Sequence, residues 1–385
     1  MGLEKTRGGT SSVSFGGKRF WITALTLSGT MLGAGILGLP YAFSKSGFVI
    51  GVFWLLFLGI ITIYVNFCLG EITLRTKELH QIPGYAELYL GKWGKRLMLF
   101  AMFFGIYAAL LAYLIGEGQS LSKLFFGDFS QSIPFAVGFW FVTILLLRDG
   151  LEGLKKVESR GVIFISAIIA FTFFFFFKNI STSNLTYYHA NNFFIPFGIV
   201  LFALLGFSSI PEMRIEIIKK EKLLKKAILV GTLIPIFLYI IFSVTFLGAF
   251  GKNVSEVATL SFDNFVPALG VFTMLASYFV LSFSLSSIFS LDLKKRENEF
   301  TYVSLIPLSL YFLVTLFNLA DFANIIGIGG VVSGGLTIIL ILLMHMKAKK
   351  KGKRKPEFSV PMNWFIFAIL SLIFIFGVVL ELVRF

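Results

Sequence analysis

Apolar runs long enough to cross a bilayer recur from Phe20 to Val383 with only short polar breaks between them, and that repetition leaves few folds open. The hydrocarbon core takes about 20 mostly apolar residues per helix. Backbone facing lipid must satisfy its own hydrogen bonds, and a helix does so within one segment. Eleven runs can be marked, of which the fourth (134–147) and fifth (162–177) are shorter than a full span. Composition agrees: 57% of the 385 residues are hydrophobic and 14% charged, and the mean hydropathy is +0.87. A soluble enzyme is excluded. The single cysteine, Cys68, lies inside an apolar run, so neither a disulfide framework nor a cysteine metal site is expected.

The net charge of +14 points to membrane topology rather than nucleic acid, because the basic residues sit in short loops between apolar runs. With the N-terminus placed in the cytoplasm, all but Lys45, Lys123, Lys178, Lys252 and Arg384 of the 34 Lys and Arg fall on the inner side. This asymmetry predicts eleven spans with the N-terminus cytoplasmic and the C-terminus external. Residues 1–19, polar and rich in Gly and Ser, read as a disordered cytoplasmic tail.

Two apolar runs carry clusters of helix breakers. The first contains Gly29-Thr30-Met31-Leu32-Gly33-Ala34-Gly35-Ile36-Leu37-Gly38-Leu39-Pro40, the sixth Phe202-Ala203-Leu204-Leu205-Gly206-Phe207-Ser208-Ser209-Ile210-Pro211. Small residues also serve close helix packing. Interruptions at the first helix of each of two five-helix halves, however, are the sequence mark of a secondary transporter built from inverted repeats.

The run Gly29 to Phe48 resembles the first-helix signature of the amino acid/auxin permease family, within the amino acid/polyamine/organocation superfamily, and Phe202 to Met213 is similar to that family's sixth-helix motif. The Glu71 to Thr76 end of the second helix and the loop around Tyr85-Ala86-Glu87 add to the likeness. The resemblance implies an all-α polytopic fold of the leucine-transporter type, five plus five inverted helices with helices 1 and 6 discontinuous. One repeat would cover 20–177, the second 193–346, and an extra eleventh helix 362–383, all in a single domain 20–385.

An amino acid offers a carboxylate and an ammonium. Free N–H groups at a half-helix start attract the first, and free carbonyls at a half-helix end the second. With the break near Gly33, the half-helix starting at Ala34 and Gly35 would face the carboxylate. Carried over from the family pattern, the carbonyls of Met31, Phe202 and Leu205 would receive the ammonium, with Gly206 at the second break. Ala34, Ile36, Phe202, Ala203 and Phe207 are uncharged, which favours a neutral side chain. For a sodium ion, the resemblance suggests the carbonyls of Gly29 and Leu32 with the hydroxyls of Ser286 and Ser287, from a helix that also carries Ser282 and Ser284. Glu117, an acid deep in the third run, is the alternative, as a proton carrier. Glu71 reads as interfacial, and His80, His189 and His345 as loop or loop-flanking residues without a metal site.

The function expected is secondary active transport of neutral amino acids, coupled to sodium or protons, with no cofactor. Two alternatives stand beside it: a sensor that binds but does not transport, and an uncoupled exchanger. A channel filter motif and a cluster of intramembrane catalytic groups are both lacking in the sequence.

Overall fold

A computed structural model describes residues 17–148, 154–262, 265–289 and 300–384. The expected tail thus lies almost wholly outside the described residues; Lys18 and Arg19 already belong to the first helix. The chain runs through α1 (Lys18–Met31), α2 (Ala34–Ser46), α3 (Phe48–Arg75), α4 (Ile82–Phe126), α5 (Ser132–Arg148) and α6 (Leu154–Phe176). A short α7 (Ser183–Thr186) precedes α8 (Ile195–Ala203), α9 (Ser209–Glu216), α10 (Leu224–Phe250) and α11 (Val266–Ser287). After a π-helical turn over Thr301–Leu305 come α12 (Ile306–Leu316), α13 (Phe322–Gly329), a second π-helical turn over Gly330–Gly334, α14 (Gly335–Lys351) and α15 (Trp364–Arg384). No strand occurs among the described residues.

Seven of the described helical segments are each long and apolar enough to cross a membrane. The pair α1 and α2, bent by 56° at its break, is long and apolar enough only when taken together, which makes up to eight spans by length and composition. An eleven-span count also needs the shorter apolar helices at 132–145 and 301–316 and the broken pair α8 and α9. Large apolar side chains such as Ile60 and Phe174 stay exposed on the outside of the bundle, as a lipid-facing surface requires.

The sequence places each break. Gly33 and the Leu204–Ser208 segment interrupt otherwise continuous apolar helices, and both breaks lie inside the bundle. In α4, Gly91 has φ +80°, a left-handed conformation that glycine adopts without strain, so a short helix at 82–90 turns sharply into the long one behind it. α1 packs on α10, with which it shares the Ser28 hydroxyl bonded to the Gly231 carbonyl at 2.9 Å.

Glu71 and His345 depart from the sequence expectation. Both are fully buried, with Glu71 Oε2 2.8 Å from His345 Nε2 and 2.6 Å from the Val360 amide. Glu71 Oε1 accepts from Arg75 and Ser359. The carboxylate therefore ties the ends of α3 and α14 to the segment leading into α15, where every bond it loses from water is replaced.

Candidate functional site

At the first break, the Gly33 amide, which an unbroken helix would give to Gly29, bonds the Met31 carbonyl at 3.0 Å. The amide of Ala34, first residue of α2, instead takes the hydroxyl of Tyr113 on α4 at 2.9 Å. A methyl added at Gly33 would stand 2.5 Å from that hydroxyl, so glycine leaves room for the contact. At Gly35 a methyl would collide with the backbone of Ala203. Glycine is required there because α2 and α8 touch backbone to backbone.

At the second break, α8 ends at Ala203 and the chain tightens, the Leu205 amide bonding the Phe202 carbonyl at 3.1 Å. The carbonyl of Leu205 and the amides of Gly206 and Phe207 make no hydrogen bond among the described residues. The two breaks are joined by Tyr239 of α10, whose hydroxyl lies 2.5 Å from the Met31 carbonyl and 2.8 Å from the Ala203 carbonyl. A hydroxyl has one proton, so it donates to one of these carbonyls at a time.

A cavity of about 130 Å³ opens where the breaks meet. Of the residues named from sequence, Met31, Gly33, Ala34, Gly35, Phe202, Leu205 and Gly206 line it; Ile36 and Ala203 do not. Ile36 faces a much smaller apolar void beside Phe242, and the Ala203 carbonyl is directed at Tyr239. The Met31 carbonyl, expected to await an ammonium, already accepts from Tyr239 and Gly33, whereas the Leu205 carbonyl has no such partner. Among the described residues, no charged side chain lines the cavity.

A second cavity, about 40 Å³, lies against α1 and is lined by Gly29 and Leu32 together with Gly161 of α6 and Ser277 of α11. The Ser277 hydroxyl is 3.3 Å from the Leu32 carbonyl. Of the oxygens expected from sequence to hold a sodium ion, this cavity brings together only those of Gly29 and Leu32. Ser286 stands nine residues farther along α11, roughly 14 Å at 1.5 Å per residue, and lines neither cavity. The side chain of Ser287 lies outside the described residues. A break in mid-span lies level with residues in mid-helix, and Ser277 is central in Val266–Ser287. Tyr113 and Tyr239 were missed as well, although a tyrosine inside a long apolar run signals a hydroxyl in need of a buried partner.

Glu117 is fully buried one turn beyond Tyr113 on α4, and neither of its carboxylate oxygens has a hydrogen-bond partner among the described residues. It lines neither of the two cavities. Among the described residues, no group of three or more His, Cys, Asp or Glu could hold a metal ion.

The architecture has close counterparts among solved structures. MhsT in complex with L-phenylalanine superposes with a TM-score of 0.65 at 17% identity, covering 96% of this chain and 98% of that one, which establishes the leucine-transporter-type fold. In sequence, the chain is 24% identical over 350 residues to glutamine transporter 2 of Aliivibrio fischeri, an alignment covering 86% of this chain and 89% of the relative. It is 27% identical over 239 residues to tyrosine-specific transport system 2 of Haemophilus influenzae, covering 60% and 58% of the two. The tryptophan/tyrosine permease family model matches residues 17–269, a stretch that holds both broken helices. The chain is an integral, multi-pass membrane permease and not an enzyme, and it belongs to the tryptophan/tyrosine permease family.

Proposed function

We propose that this permease is a secondary active transporter of neutral amino acids, working by alternating access. The observation that carries the reading is the cavity at the meeting point of two broken helices, lined by unpaired backbone groups and by no charged side chain. The start of α2 attracts the substrate carboxylate through its N–H groups and partial positive charge, with the Tyr113 hydroxyl beside it. The Leu205 carbonyl attracts the ammonium, with Phe202 as a second acceptor. A charged substrate side chain would be left without a counter-ion, a penalty that neutral side chains avoid.

The second cavity supports sodium as the coupling ion. The carbonyls of Gly29 and Leu32, at the broken end of the helix that the substrate also engages, and the hydroxyl of Ser277 on α11 offer hard oxygen ligands. Glu117, buried without a partner, supports the proton alternative. The reading includes eleven spans in two repeats, 20–177 and 193–346, with 362–383 added, an internal N-terminus and an external C-terminus. Uptake of a panel of neutral amino acids into proteoliposomes, with and without an imposed sodium or proton gradient, tests it. Concentrative uptake under one gradient is expected; binding without uptake would identify a sensor, and counterflow alone an exchanger.

A further inference from the structure

Away from the helix breaks, the main cavity is walled by hydroxyls that make no hydrogen bond to the described residues. Ser284 of α11, Ser333 in the π-helical turn and Thr337 of α14 line it, and none makes a hydrogen bond among the described residues. A serine or threonine within a helix ordinarily gives its proton to the carbonyl four residues back. Thr26, Thr30, Thr232, Thr273 and Ser277 all do so here. Ser333 and Thr337 are only 5% and 4% exposed, and what they expose faces the cavity that they line.

Their arrangement has a shape as well as a chemistry. Ser333 and Thr337, four residues apart, share a helix face. The π-turn over Gly330–Gly334 shifts the register at the point where that face meets the cavity, as π-turns often do at functional sites. Opposite them, α4 presents Gly105 and Ala109, again four apart; a methyl on Gly105 would collide with the Ser333 hydroxyl. Met102, Ile106 and Leu281 supply the apolar sides. The result is a slot with apolar flanks and a hydroxyl-lined wall, remote in sequence from the backbone anchors.

We propose that Ser284, Ser333 and Thr337 read the tip of the substrate side chain, selecting neutral side chains that end in a hydrogen-bonding group, a phenol or a carboxamide, over apolar ones of similar size. The proposal rests on the neutral amino acid reading of the same cavity. Hydroxyls both donate and accept, as do a phenol and a carboxamide, so the pairing is complete with either. An apolar tip would leave the buried hydroxyls unpaired, the situation in which hydrogen-bonding sites discriminate most strongly.

Equilibrium binding of tyrosine, phenylalanine, glutamine and leucine to the purified protein tests the proposal. The wild type should favour tyrosine over phenylalanine or glutamine over leucine, and whichever pair is split identifies the tip as phenol or carboxamide. The Ser333→Ala, Thr337→Val double variant should weaken the favoured ligand by roughly three- to tenfold per hydroxyl and leave its apolar counterpart within twofold. Ser284→Ala, on a separate helix, gives the same comparison should the double variant fail to fold. Binding without discrimination in the wild type, or equal losses for both members of a pair, overturns the selection alone. Absence of binding by all four ligands removes the neutral amino acid reading together with it.

Discussion

The Tyr239 hydroxyl stands 2.5 Å from the Met31 carbonyl, closing the end of α1 where the helix has lost its own donor. The same oxygen is 2.8 Å from the Ala203 carbonyl at the end of α8. One side chain on α10 thus spans the ends of both broken helices, and a relative shift of α1 and α8 must change which carbonyl it serves.

Tyr239→Phe should therefore destabilise the protein and impair transport together. The ring is fully buried, so the change removes the one proton shared by two buried carbonyls, at a cost of about 1–3 kcal/mol. Thermal unfolding in detergent should show a lowered midpoint, and uptake should fall beyond what the loss of folded protein explains. An unaltered midpoint would mean that water replaces the hydroxyl.

Gly33 and Gly35 should separate in their effects. Gly35→Ala places a methyl against the Ala203 backbone, which cannot yield as a side chain can, so α2 and α8 must part and folded protein should be lost. Gly33→Ala meets only the end of the Tyr113 side chain, and its φ of −132° suits alanine. That variant should remain folded and bind amino acid more weakly, by roughly tenfold for a displaced hydrogen bond to the carboxylate site. Size-exclusion profiles paired with ligand binding distinguish the two outcomes.

Much of this was legible in the sequence because the informative residues are adjacent there. The break at Gly33 and the interruption around Gly206 are local backbone events, and glycine and proline announce them. What could not be read is what depends on depth or on distant pairing. Ser277 and Ser286 differ in their level in the bundle and, about two and a half turns apart, in the face of α11 that they occupy. Glu71 and His345 meet across 274 positions, and each taken alone looks like a polar residue at a helix end. Tyr239 reaches Met31 across 208 positions; its place in an apolar run marks a hydroxyl that needs a buried partner but does not say which one.

Coupling should follow the small cavity. Ser277→Ala removes the hydroxyl beside the Leu32 carbonyl and should raise the sodium concentration for half-maximal uptake several-fold, while Ser286→Ala leaves it unchanged. Glu117→Gln should retain the sodium response, since the carboxylate lines neither cavity. Loss of pH dependence in Glu117→Gln, with a silent Ser277→Ala, would instead assign coupling to the proton.

Glu256, in the loop between α10 and α11, should give the protein a pH-dependent stability. Its carboxylate accepts from the Ala323 amide at 3.2 Å, bridging that loop to the start of α13. Burial raises its pKa above the ordinary carboxylate range, and nearby Asp321 adds to the rise; the Ala323 bond, Tyr41 and Lys45 oppose it. A raised folded-state pKa means that the folded protein holds this proton more tightly than the unfolded chain. The resulting stability is fully present below the ordinary carboxylate pKa and is lost as pH climbs through the raised value. Glu256→Gln, a neutral amide at every pH, should remove that slope. Unfolding midpoints of the variant and the wild type should converge at the acid end and separate toward neutral pH, the variant being the more stable there. A gap that is constant across pH would show that Glu256 keeps the same ionisation in the folded and unfolded states.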